Sequence, residues 1–177
     1  MSGRAPVAEP PLPFAATAPC EPCEPPPPEA GRLFLQGGQI VASADGAAVV
    51  TILGSCVAVC LFDPRAGVGG MNHYLLPIAA EQDRSPRYGT IACAQLLEEV
   101  LRRGARRADL RAKVFGGAGI LAIRSDDPRT LGDKNVETAL AFLGAEGIPV
   151  VHGNVGGTRG RKLVFRTNDG AAWVRTL

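Results

Sequence analysis

The chain carries five cysteines and two histidines. A cysteine attacks as its thiolate, and a histidine within reach is the common way to make one near neutral pH. Two short stretches offer that pair. "TILGSCVAVC" holds Cys56 and Cys60, and "VGGMNHYL" ends near His73. If residues 63–66 make a hairpin turn between them, Cys56 falls directly opposite His73 on antiparallel strands. Opposed side chains share a face, with Cβ atoms about 5 Å apart, close enough for a thiolate–imidazolium pair. The same register sets Cys60 against Gly69 and gives it no partner. A one-residue slip would turn one member of the pair to the other face. Gly54 and Ser55, just before Cys56, make a flexible turn whose backbone N–H groups could hold a developing oxyanion. The competing reading is that both thiols are small buried hydrophobes.

Other chemistry-bearing residues carry weaker signals. Cys20 and Cys23 form a C-x-x-C pair without a second pair, a nearby histidine or a folded setting, so a redox or metal role stays a minor alternative. "FGGAG" at residues 115–119 follows a strand as a phosphate loop would. It lacks the lysine of a Walker loop and the G-x-G-x-x-G spacing, so a tight turn or close backbone packing is the better reading. Arg102, Arg103, Arg106, Arg107 and Arg111 gather where cations suit a helix C-terminus. His152 and Trp173 are expected to be structural, Trp173 in the core.

These residues must be positioned by the elements around them. Residues 33–43, 47–53, 56–62 and 68–75 read as strands, being short and rich in β-branched residues. "DPRAG" at residues 63–67 is turn chemistry. Residues 88–103 read as a helix ended by Gly104, and residues 133–145 as a second with Asp133 as its cap. A strand over 110–115 precedes "GGAG", and strands over 150–155, 162–167 and 171–175 complete the chain, the last two joined by "TNDG". Mixed strands with two helices predict an α+β layered fold.

Ten of the fifteen prolines lie in the first 31 residues. Proline lacks the amide donor and fixes φ, so residues 1–31 are expected to be a disordered, Pro-rich tail and residues 32–177 a single domain. The 177 residues are 46% hydrophobic and 20% charged, with net charge +2, which gives no reason to expect nucleic acid. The uncharged run 47–62 is too short to span a bilayer and contains Thr51, Gly54 and Ser55, so no membrane insertion is expected. No secretion signal is visible at the N-terminus, and an odd number of cysteines argues against a disulfide framework, so the protein reads as cytoplasmic.

"LGSCVAVCLFDP", "GGMNHYLLP", "FGGAGIL", "LGDKNVETALAFL" and "GNVGGTRGRKLVF", in this order, resemble the successive motifs of the CheD family of chemoreceptor glutamine deamidases. The resemblance runs from about Leu33 to the C-terminus. It implies hydrolysis of selected receptor glutamines to glutamate with loss of ammonia, and possible hydrolysis of glutamyl methyl esters. It implies a layered α/β sandwich of mixed, largely antiparallel sheets with two main helices packed on one side, similar to the cytotoxic necrotizing factor toxins. It implies a Cys-His-Thr set, with the cysteine of G-S-C at Cys56 and the histidine of G-x-M-x-H at His73. The threonine falls on Thr51, five places before the cysteine, where the family often has six and this chain has Val50. No metal or organic cofactor is implied. The implied partners are chemoreceptor cytoplasmic helices and a CheC-type phosphatase. The alternative is a non-catalytic module that docks on those partners with Cys56 in its core.

Overall fold

The computed structural model describes residues 24–119 and 127–177. The pair Cys20 and Cys23 lies outside them. Among the described residues the strands are β1 (Leu33–Phe34), β2 (Gln39–Ser43), β3 (Ala48–Leu53), β4 (Val57–Asp63), β5 (Val68–His73), β6 (Arg111–Gly116), β7 (Val150–Val155), β8 (Arg161–Arg166) and β9 (Ala172–Thr176), and the helices are α1 (Gly89–Arg102) and α2 (Leu131–Ala145). One sheet runs β1-β3-β8-β9 and the other β2-β5-β4-β6-β7. Pairing is antiparallel except at β1–β3 and β6–β7. Both helices pack on the five-stranded sheet. The result is the expected α+β layering: sheet, sheet, helix pair.

Strand β4 explains the charge-free run in the sequence. Successive side chains of a strand point to opposite faces, and both faces of β4 are covered. Val57, Val59 and Leu61 join the cluster under the helices, with Leu96, Val100, Ala139 and Leu143. Ala58, Cys60 and Phe62 join the cluster between the sheets, with Val49, Leu53, Met71, Leu163 and Phe165. A strand in that position has no face on which a charge could be solvated.

The hairpin register differs from the expectation. Cys60 pairs with Met71 and Asp63 with Val68, and the isolated pair Val57 and Tyr74 continues the ladder. Cys56 is therefore not opposite His73, and Cys60 does not face Gly69. The reason is the turn. Asp63 Oδ1 accepts from the N–H groups of Arg65 and Ala66 at 2.9 and 3.0 Å, and Gly67 closes the loop at φ 66°, so the loop takes residues 64–67. The register moves by two residues, which keeps every side chain on its face. Cys56 and His73 remain on one side of the sheet as diagonal neighbours, a relation with typical separations of about 7–8 Å.

Three further expectations change. Residues 33–43 are not one strand: β1 lies in one sheet and β2 in the other, with a break that includes Gly38 at φ 82°. Asp133 is not the cap of α2. Thr130 is, and Asp133 completes a capping box by accepting from the Thr130 N–H at 2.7 Å. Residues 24–31, assigned to a disordered tail, lie on the outer face of the four-stranded sheet. Trp173 Nε1 donates to the Glu24 carbonyl at 2.9 Å, and Arg32 Nε to that of Pro27 at 2.8 Å. They cover a small outward cluster of Val50, Val164 and Trp173, so Trp173 lies outside the main core. Prolines suit this position because they have no N–H to leave unpaired.

Asp63 also accepts from the Arg106 N–H through Oδ2, at 2.8 Å. Burial raises the pKa of this carboxyl, but the backbone donors of Arg106, Ala66 and Arg65 outweigh it and leave it lowered. Asp63→Ala removes the acceptor from three N–H groups and lowers unfolding free energy by about 2–3 kcal/mol, read as a shifted urea midpoint at unchanged slope. Because the folded pKa lies below the unfolded one, the ionised carboxylate's contribution is present above about pH 4 and is lost as pH falls through the folded value.

Candidate active site

Thr51 is wholly buried on β3, in the four-stranded sheet, and His73, 7% exposed, ends β5 in the other sheet. Their side chains meet in the space between. Thr51 Oγ1 lies 2.7 Å from the Leu35 carbonyl and 2.8 Å from His73 Nδ1. A carbonyl can only accept, so the single hydroxyl hydrogen goes to Leu35. Thr51 then accepts from His73, which fixes the proton on Nδ1. The lone pair is left on Nε2, which is buried and has no hydrogen-bond partner among the described residues. Burial lowers the His73 pKa, with the Leu35 backbone opposing. The imidazole is thus oriented, neutral and free to accept a proton at one atom.

Cys56 sits where the chain crosses from one sheet to the other, between β3 and β4. The crossing is pinned carbonyl by carbonyl. Gly54 accepts from the Ala118 N–H at 2.8 Å, Ser55 from Asn135 Nδ2 at 2.9 Å, and Cys56 from the Gly117 N–H at 2.8 Å. This accounts for "FGGAG". Gly116 has φ 107°, and a Cβ there would stand 2.2 Å from the Cys56 carbonyl. The amides of Gly117, Ala118 and Gly119 all go to protein carbonyls, so the loop braces the Cys56 backbone and offers no phosphate cradle.

The half-buried Cys56 thiol packs against the inter-sheet cluster, on the same side as Ala58 and Cys60. Burial raises its pKa, and the residue's own N–H, lying against Sγ, lowers it. Among the described residues that N–H goes to no carbonyl. The other thiols differ. Cys60 is fully buried and its pKa is pushed far up by burial, with Lys113 opposing only in part. Cys93 is pushed up to about 12, by burial first, while the Asn72 side chain lowers it. His152 lies on β7 with its ring centroid 6.0 Å from that of Phe115, as a packing residue would. Arg102 and Arg103 pair with Glu99, Arg106 with Asp109, and Arg107 with Glu146, so much of the arginine cluster is tied to local carboxylates. Among the described residues no group of His, Cys, Asp and Glu is gathered to hold a metal ion.

Sequence reasoning missed Asn135. It is completely buried on α2 and reaches the backbone on both sides of the site. The available signal was its place on the apolar stripe of α2, four and eight residues before the buried Ala139 and Leu143. A polar residue in that register is either paired for a purpose or destabilising.

With this geometry in place, comparison with known proteins is informative. A family model described as CheD chemotactic sensory transduction matches residues 75–176. A protein of Anaeromyxobacter dehalogenans named "Probable chemoreceptor glutamine deamidase CheD 1" is 57% identical over 147 residues, 82% of this chain and 85% of the relative. A stretch that long includes Thr51, Cys56 and His73 wherever it starts. A Trichlorobacter lovleyi protein named "Probable chemoreceptor glutamine deamidase CheD" is 45% identical over 140 residues, 78% of this chain and 86% of that one. Among solved structures, YlmD from Geobacillus stearothermophilus has a TM-score of 0.50 at 16% identity. The match covers 75% of this chain and 61% of that one, and the likeness is one of fold. On the family model and these relatives, the chain belongs to the CheD family.

Proposed function

We propose that this protein hydrolyses glutamine side chains of chemoreceptor cytoplasmic helices to glutamate, with Cys56 as nucleophile, His73 as general base and acid, and Thr51 as the residue that orients His73. One observation carries the residue assignment. The Thr51–His73 hydrogen bond leaves Nε2 as the free lone pair, buried on the face that Cys56 shares. The names of the relatives, which describe chemoreceptor glutamine deamidases, support the substrate.

The proposed reaction runs in two stages. Burial favours the neutral forms of both groups, a thiol and an imidazole. His73 Nε2 takes the Cys56 proton as Sγ bonds to the carboxamide carbon, and the carbonyl electron pair moves to oxygen. The Cys56 N–H, with the turn at Gly54 and Ser55, holds that oxyanion. His73 returns the proton to nitrogen, the C–N bond breaks and ammonia leaves. Water, deprotonated by His73, then cleaves the thioester and releases glutamate and the thiol. Glutamyl methyl esters fit the same steps with methanol as leaving group. The domain is residues 32–177, with residues 24–31 lying against its outer face, acting in the cytoplasm, and a CheC-type phosphatase is the second partner that family membership suggests. Among the described residues no helix is long and apolar enough to cross a membrane.

Mass spectrometry of a chemoreceptor cytoplasmic fragment incubated with the protein tests the reading. The mass gain that marks replacement of NH₂ by OH appears with the wild type and is absent with Cys56→Ala. A gain that persists in the variant sinks the mechanism, and receptor binding with no gain in either would leave a docking module. Thr51→Val removes the acceptor for Nδ1–H and lowers kcat about 10- to 100-fold with little change in KM, less than the roughly 10²–10⁴-fold ascribed to general acid–base catalysis because the imidazole itself remains. An ammonia-release assay reads this directly. The pH profile has a sign as well. His73 must be neutral to act as base, and its pKa is lowered, so the acid limb of kcat/KM falls below the ordinary imidazole value of about 6.5. An acid limb above that value contradicts the assignment.

A further inference from the structure

We propose that Asn135 of α2 is a positioning residue that aims the Cys56 backbone N–H at the reacting carbonyl, an inference that rests on the deamidase reading above. Asn135 Nδ2 donates to two carbonyls, those of Ser55 and Leu75, each at 2.9 Å. One lies just before the nucleophile and the other two residues past His73. Both contacts are acceptors, which fixes the amide's orientation. The helix backbone is tied to the same place: Tyr74 Oη donates to the Asn135 carbonyl at 2.5 Å.

The consequence lies in one peptide plane. The chain has no cis peptide bond among the described residues, so the Ser55 C=O and the Cys56 N–H point in opposite directions. Asn135 draws the C=O toward the helix layer. The N–H must then point away from it, toward the side on which Sγ packs. An oxyanion donor acts through being held in place before the reaction, and a peptide unit at a turn is free to rotate unless its other end is tied. Asn135 is that tie. Its Oδ1 is buried without a hydrogen-bond partner among the described residues, a penalty that an apolar side chain at 135 would not carry. An amide kept there in spite of it is better explained by what Nδ2 holds than by stability.

Asn135→Ala tests the inference by three readouts on the full chain. With a chemoreceptor cytoplasmic fragment, kcat falls about 10- to 100-fold, somewhat less than the loss of a complete oxyanion donor, and KM stays within about twofold. Alkylation of Cys56 by iodoacetamide, a displacement that forms no oxyanion, keeps its rate and pH dependence. The Cys56 amide ¹⁵N–¹H resonance moves. Unchanged kcat overturns the proposal, and so does alkylation that falls in step with kcat, because the residue would then only hold the fold. If Asn135→Ala does not fold, Asn135→Ser carries the same measurements. Loss of folding in both overturns the proposal as well. If the wild type releases no ammonia, the deamidase reading fails, and the amide resonance alone decides the orientation: it moves if Asn135 holds the Ser55–Cys56 peptide and stays if it does not.

Discussion

A hydrogen bond between two sheets organises the site. Thr51 belongs to one sheet and His73 to the other, and neither could be placed by its own strand pairing alone. The bond needs Thr51 to accept, which needs the hydroxyl proton to go elsewhere, to the Leu35 carbonyl. Leu35 is held for this by its own N–H, which donates to Val50 at 2.8 Å beside the short parallel pair β1–β3. Three residues on, the Gly38 N–H donates to the His73 carbonyl at 2.6 Å, where β2 begins to pair with β5. The chain therefore crosses from sheet to sheet twice around the same spot, at residues 35–38 and at residues 54–56. One crossing fixes the histidine and its threonine, and the other carries the cysteine.

Burial sets the electrostatics of this arrangement. It raises the Cys56 pKa and lowers that of His73, so the resting pair favours thiol and imidazole over the ion pair. Separating charge in such a place carries a desolvation penalty unless both charges are solvated by fixed dipoles. The proposed chemistry needs little separation. The proton moves to His73 as negative charge passes through sulfur to the substrate oxygen, where a backbone N–H is already in place. Thr51 lends its lone pair to the Nδ1–H on the far side of the ring, which stabilises the imidazolium while the proton is held there.

Much of this was legible in the sequence, and the failures have physical causes. Cys56 and His73 stood out because a hairpin of ordinary length puts them on one face, and that conclusion survived a register two residues away because strands have a period of two. The register itself was misjudged because the Asp63 side chain stabilises a longer loop, an interaction that turn propensities do not contain. The break in residues 33–43 was hidden because both halves are good strand sequence, and only the existence of a second sheet separates them. Thr51 looked out of place by one residue when counted from the cysteine. Its contact with His73 is set across the sheets by its pairing with Leu163 in β8 rather than by the count to the cysteine. Asn135 was invisible for a different reason: its partners are backbone carbonyls 80 and 60 residues away, and no local pattern encodes them.

The contrast between Cys56 and Cys60 explains why the proposed nucleophile belongs at a strand's end and not inside it. Cys60 lies within β4 and is paired to β5 on one side and β6 on the other. Its N–H and C=O belong to the ladders and its thiol is fully buried, so its own N–H is not available to an oxyanion. Cys56 stands one residue before the ladder begins. Its carbonyl is held by Gly117 while its N–H goes to no carbonyl among the described residues, so position is fixed without using up the donor. A residue one place later would lose that N–H to Tyr74, as Val57 does at 3.1 Å. The chain earlier runs into β3 and the other sheet, away from the pairing that brings His73 alongside. The glycine at 116 and the asparagine at 135 hold the crossing in this window, one by admitting the Cys56 carbonyl and the other by turning the peptide before it.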